Sequence, residues 1–375
     1  REACAYSHIP GENMIWADKK GNIGWQAVGI IPIRKNFSGY VPIPGDGRYE
    51  WSGYLPIKER PHLLNPSKDF FATANQHVTP DTYEHWDAVG YTWADPYRGD
   101  RINKVLTEKN NISIEDMGKL QTDYFSIPAS TIVPLIEKIN FQDSFSNAAK
   151  QYLMNWNFVL DKNSIAAGIY VGWEKQLAIN AQKYFVPDEI KPWVNLQLKK
   201  VIERLENPVN YFGVDEVVAK NNRDAFVKKA FEGAIQNLKN KLGTELSAWN
   251  YGQEKYKHIY FEHPLANLVS PALKAKLNIG PMPRGGYGQT PGSTGGADNQ
   301  VSGASFRILM DTRDWDKTLI INTPGQSGDS NSPFYRNLFS TWANDGYFPS
   351  YYSRALIEQN LAENWVIKPL KTAQK

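Results

Sequence analysis

The chain has 375 residues, 41% of them hydrophobic, and a formal charge of +3 from 42 basic and 39 acidic side chains. That length makes one large domain or two ordinary ones. The charges are interspersed and leave no basic footprint for nucleic acid, and no apolar run approaches the roughly 18 residues that would span a bilayer.

A single cysteine, Cys4, excludes an internal disulfide. The 12 Trp and 20 Tyr point to large flat contact surfaces in a core, a cleft or an interface. In chain order, residues 13–30 read as a hairpin: 14–17 and 23–30 are strand-like and Asp18-Lys-Lys-Gly-Asn22 is the turn. Residues 31–66 carry six prolines and several aromatics, the composition of an ordered cleft wall rather than a linker. The apolar run 70–72 reads as a short buried strand, with Asn75 at its end. A strand end is where a rigid element can aim a neutral amide donor, although asparagine there is also a common turn former. A loop dense in Asp, His, Trp and Tyr follows and closes on Asp100-Arg101, and Arg101 is the candidate to hold the Asn75 amide.

From Ser113 the apolar period becomes helical. Ser113 with Asp116 forms a capping-box pattern for a helix to about Tyr124, and further helices are expected over 128–139, 146–155, 164–185, 188–205 and 222–242. Pro134 should kink the second of these, and Gly243 should stop the last. Residues 278–305 are rich in Gly, Pro, Ser and Thr without the Lys-Ser/Thr of a phosphate loop, and read as a surface loop or a loop laid over a cleft. Strands return at 305–310 and 318–322, and a last helix is expected at about 352–362. Pro324-Gly-Gln-Ser-Gly328 lacks the G-x-S-x-G spacing of a nucleophile elbow, and the histidines have no zinc-ligand spacing. Strands, then helices, then strands argue an α+β fold in one interwoven domain. Its parts are a sheet-forming segment with cleft loops (1–112), a helical lobe (113–250), and returning strands with the Gly-rich loop and a terminal helix (251–375).

Several segments, in order, resemble the penicillin acylase (penicillin amidase) family of N-terminal nucleophile hydrolases. They are Ile15-Trp-Ala-Asp-Lys-Lys-Gly-Asn-Ile-Gly-Trp25, Val41-Pro-Ile-Pro-Gly45, Phe71-Ala-Thr-Ala-Asn75 and Trp93-Ala-Asp-Pro-Tyr-Arg-Gly-Asp-Arg101, then Pro283-Arg-Gly-Gly286, Ser305-Phe-Arg307 and Pro324-Gly-Gln-Ser-Gly-Asp-Ser330. The resemblance implies a four-layer αββα sandwich and hydrolysis of a linear amide by the N-terminal Ser of a β chain cut from a precursor. On this expectation the chain is the downstream part of β. Its partners would be the α chain and the N-terminal part of β, and residues 1–375 alone would be inactive. The resemblance further implies Asn75 as oxyanion donor, Arg101 beside it, Asp87 as one ligand of a structural Ca2+, and a periplasmic or extracellular location. From the residues alone, the competing readings are a binding protein with an aromatic or carbohydrate-binding surface and a glycosidase, for which no carboxylate pair stands out.

Overall fold

The structure is a computed structural model that describes residues 1–296 and 298–369. It is mixed helix and sheet, as the order of elements in the sequence implies. Strands β1 (Asn13–Ala17) and β2 (Ile23–Ala27) form the expected hairpin, with Ile15 opposite Trp25. The Asp18 carboxylate accepts the backbone N–H groups of Lys20 and Asn22, an Asx turn that fixes the register. A third antiparallel strand, β3 (His62–Leu64), pairs with β2; it is too short to leave a period-2 pattern.

Residues 70–72 are not a strand. Positive φ angles at Asp69 (58°) and Asn75 (65°) bend the chain at both ends. The Phe71 ring stacks instead on Trp25, centroids 4.4 Å apart. The loop after them holds two helices: α1 (Trp86–Val89) and α2 (Tyr97–Glu108).

The helical lobe follows as α3 (Ile114–Gln121), α4 (Ile127–Ile132), α5 (Ser144–Met154), α6 (Ile165–Phe185), α7 (Leu198–Glu206) and α8 (Glu216–Leu242). Ser113 and Asp116 close the capping box that the sequence signals. Pro134 ends α4 early and leaves a 3-10 turn over Val133–Ile136. The helix expected over 188–205 starts only at Leu198: Pro187 and Pro192 break its first half. Helices α6 and α8 pack on each other, burying Ala166, Tyr170, Trp173, Leu177 and Ala181 against Val227, Phe231, Ala234 and Leu238. Those spacings of three and four residues make one apolar stripe per helix. Each fully buried large side chain there contributes about 1.5–3 kcal/mol.

After α8, strand β4 (His258–Phe261) pairs with β5 (Ile279–Pro283) around helix α9 (Pro271–Leu277). Strands β6 (Phe306–Leu309), β7 (Leu319–Asn322) and β8 (Phe348–Pro349) form a third sheet, with α10 (Phe339–Ala343) before β8 and α11 (Arg354–Gln359) after it. Ile259, Ile279, Ile321, Phe339 and Trp342 form a second core between these sheets and α10. The Gly-rich segment is a correction to the surface-loop expectation: Arg284, Gly285, Gly286 and Tyr287 are buried. A Cβ at Gly285 would lie 2.5 Å from both the Leu160 carbonyl oxygen and the Tyr124 ring, so only glycine fits there.

Candidate active site

Asn75 sits on an exposed bend whose left-handed backbone an asparagine tolerates. Two contacts with the next segment define it. The Asn75 carbonyl oxygen accepts the N–H of Ala94 at 3.0 Å, and its side-chain Oδ1 accepts from Arg98 Nη2 at 2.8 Å. A guanidinium can only donate, so the amide oxygen must face Arg98. The amide Nδ2 then points away, and it has no hydrogen-bond partner among the described residues. The arrangement presents a neutral N–H donor whose orientation is fixed from behind.

Its support is buried. Gln76 accepts from the Ala74 N–H at 2.6 Å and donates to the Ala72 carbonyl at 3.2 Å, bracing the bend from within. Gly99 on α2 lets that side chain lie flat: a Cβ there would come within 2.4 Å of the Gln76 amide carbon. Asp95, just before α2, accepts the backbone N–H of Lys199 at 3.1 Å and the side-chain amide of Gln289 at 3.2 Å.

The expected contact between Arg101 and Asn75 is corrected. Arg101 Nη2 pairs with Asp123 Oδ2 at 2.7 Å and its guanidinium lies over the Phe125 ring, 4.6 Å from the centroid. Arg98, three residues earlier in the first turn of α2, holds Asn75. A loop closing on Asp100-Arg101 puts Arg101 at the bend; the helix that actually starts at Tyr97 brings Arg98 of its first turn there instead.

Asp87 is exposed on α1, where its backbone carbonyl accepts from the Arg34 N–H at 3.1 Å. Ca2+ takes six to eight oxygens, and no cluster of three or more acidic, His or Cys ligands forms among the described residues. Asp87 alone therefore does not constitute a calcium site. Beside it lies an aromatic cluster. His77 stacks on Trp93 at 4.1 Å, Trp86 stacks on Tyr91 at 5.7 Å, and Trp86 meets Trp93 edge-on at 5.9 Å.

The segments 283–286 and 305–307 meet in a different cluster. Arg284 and Arg307, almost fully buried, share the carboxylate of Asp345 at 2.6 and 3.3 Å, and both guanidiniums lie over Trp342. The Tyr124 hydroxyl donates to the same carboxylate. This ties the helical lobe to the last sheet. Ser327 serves a turn, its Oγ accepting the Asp329 N–H at 3.1 Å.

Sequence and structure comparisons agree with this architecture. The Penicillin amidase family model matches residues 1–359, so the chain belongs to the penicillin amidase family. It is 24% identical over 359 residues to penicillin acylase 2 proenzyme of Pseudomonas sp. (strain SE83), covering 91% of this chain and 44% of that protein. It is 25% identical over 380 residues to acyl-homoserine lactone acylase QuiP of Pseudomonas aeruginosa, covering 89% of this chain and 43% of that protein. The chain thus spans less than half the length of these relatives. Among solved structures, a thermostable penicillin G acylase from Alcaligenes faecalis superposes with a TM-score of 0.67 at 19% identity, over 98% of this chain and 69% of that one.

Proposed function

We propose that this chain is part of an amidohydrolase that cleaves linear amides, releasing an acyl group from an amine such as a β-lactam nucleus or a homoserine lactone. The nucleophile is the N-terminal Ser of a β chain and lies outside these residues, as do the α chain and the remainder of the four-layer αββα sandwich. Family membership supports this reading, together with the acylase names of relatives more than twice as long as the matched region. Asn75 supplies one of the two oxyanion donors. As the tetrahedral intermediate forms, negative charge grows on the former carbonyl oxygen, and a pre-aimed N–H stabilises it without reorganising. Arg98 fixes that N–H from behind. The single observation that carries the assignment is the Arg98–Asn75 Oδ1 hydrogen bond, which leaves Nδ2 outward. The proposal extends to Asp87 as one contributor to a structural Ca2+ whose other ligands come from outside the described residues. It also extends to a periplasmic or extracellular location; no described helix is long and apolar enough to cross a membrane.

Substitution of Asn75 by Ala in the complete enzyme tests the reading. The melting temperature should stay at the wild-type value and KM should change little, while kcat falls by roughly 10²- to 10³-fold. A near-normal kcat in the folded variant would end the oxyanion assignment and leave Asn75 as a turn former.

A further inference from the structure

Helix α6 carries an acidic residue that the chemistry above does not use. Glu174 lies among the packed elements of the helical lobe, partly buried, and its Oε2 accepts two phenol hydroxyls: Tyr170 at 2.5 Å and Tyr287 at 2.8 Å. The Tyr287 hydroxyl also meets Ser126 Oγ, the N-cap of α4, at 3.0 Å. Tyr287 opens a tight turn in the Gly-rich segment. Its N–H donates to Thr290 Oγ1 at 3.0 Å, and the Thr290 hydroxyl donates back to the Tyr287 carbonyl at 3.0 Å. Within that turn, Gln289 donates to Asp95 Oδ2. Asp95 lies one residue from Ala94 and three from Arg98, the two groups that hold Asn75.

We propose that Glu174 is a positioning residue for Asn75, acting through Tyr287, the 287–290 turn and the Gln289–Asp95 hydrogen bond, and that its ionisation tightens this line. The inference rests on the reading of Asn75 as an oxyanion donor. With the carboxylate ionised, both phenols donate to one oxygen, and the Tyr287 ring is fixed between Glu174 and Ser126. A proton on Glu174 removes the charge that strengthens both phenol hydrogen bonds, and each becomes an ordinary neutral bond of roughly half the strength. Tyr287 then keeps Ser126 but is held less tightly to α6, and the turn carrying Gln289 loosens.

The surroundings set the range in which this happens. Burial is the largest influence on Glu174 and pushes it up to about 7, against the two tyrosine hydrogen bonds and the charge of Lys257, which pull it down. The other groups facing it are Asp95 before α2, Tyr97 on α2, and Tyr251 and Tyr256 in the stretch before β4. The tyrosines, including Tyr170 and Tyr287, are all driven upward by burial and stay neutral through this range. Lys257 is brought down to about 8 by burial, against the charges of Glu174 and Asp298, which hold it up.

The test uses the complete protein carrying these residues, with Tyr287→Phe, Gln289→Ala and Glu174→Gln. Two readouts are followed: hydrolysis of a chromogenic acyl-anilide, and amide hydrogen exchange of residues 93–101 corrected for intrinsic rates. Tyr287→Phe and Gln289→Ala should speed exchange in 93–101 and lower kcat by roughly 3- to 30-fold with KM nearly constant. Glu174→Gln should match the wild type at pH 6, exchange faster than it at pH 8, and remove any rise of kcat between those values. Gln289 is only half-buried, so its truncation keeps the test alive if Glu174→Gln fails to fold. Faster exchange in 93–101 in a protein whose wild type hydrolyses no amide would sustain the structural line and reject the hydrolase reading. Unchanged exchange and unchanged kcat in Gln289→Ala and Tyr287→Phe would overturn the proposal.

Discussion

An arginine has N–H donors and no acceptor, so whichever atom of an amide faces it is the oxygen. That is why one side chain, Arg98, fixes which way the Asn75 amide faces. Lysine at position 98 keeps the charge but not the planar fork that aims the amide. Arg98→Lys should therefore lower kcat of the complete enzyme while the melting temperature stays close to wild type, as steady-state kinetics beside a thermal melt will check. Arg101 should behave in the opposite way. Its partners are Asp123 and the face of Phe125, both in the helical lobe. Arg101→Ala removes a partly buried pair and a ring contact, a loss of about 1–3 kcal/mol in denaturant unfolding. If kcat instead collapses and stability holds, Arg101 is the catalytic group the family resemblance implied.

At the scale of elements, α2 is the piece on which the site depends, and it was the hardest to read. Its sequence, Tyr-Arg-Gly-Asp-Arg, carries a glycine in its first turn, which lowers helix propensity. The glycine is there for packing, because α2 lies against Gln76. Gly99→Ala should displace the Gln76 side chain and free the Ala74 N–H. Its loss of kcat and stability should be largely absent in the Gln76→Ala background, a coupling measurable by a double-mutant cycle. Where signals were local, the sequence was legible. The Asp18 turn, the Ser113 capping box, the kink at Pro134 and the stop at Gly243 all stand where short-range chemistry puts them. Asn75 was legible as a residue but its partner was not, because that depended on recognising α2. Strands β3, β4 and β5 carried too few residues, or too many glycines and prolines, to show a period. The Glu174 cluster joins residues from positions 126, 170, 174 and 287, and no local pattern announces a contact across more than 100 residues.

For the whole molecule, Glu174 makes stability depend on pH with a definite sign. Unfolded, it titrates near 4.5; folded, it holds its proton up to about 7. Between those values the native chain binds a proton the unfolded chain has released, so this group's contribution is complete below pH 4.5 and is lost as pH rises towards 7. The slope is at most roughly 1.4 kcal/mol per pH unit. Unfolding free energies of wild type and Glu174→Gln, compared at pH 5 and pH 8, should differ in that direction; parallel pH dependences would contradict it.

The buried segment 284–287 has a further consequence, and it concerns time. Tyr251 donates to the Gly286 carbonyl, the Gly286 N–H donates to Leu160, and Arg284 reaches on to Asp345. A ribosome delivers the chain from its N-terminus, so the helices of 113–242 emerge with the place of this segment still empty. Until residue 290 is out of the exit tunnel, Tyr124 and Leu160 face water, and Asp95 lacks its hydrogen bond from Gln289. Domains generally fold as units during synthesis, and here the helical lobe closes only after residues 284–290 arrive. Nascent chains stalled before residue 280 should be cut readily by protease within 120–165, whereas chains released beyond residue 345 should resist.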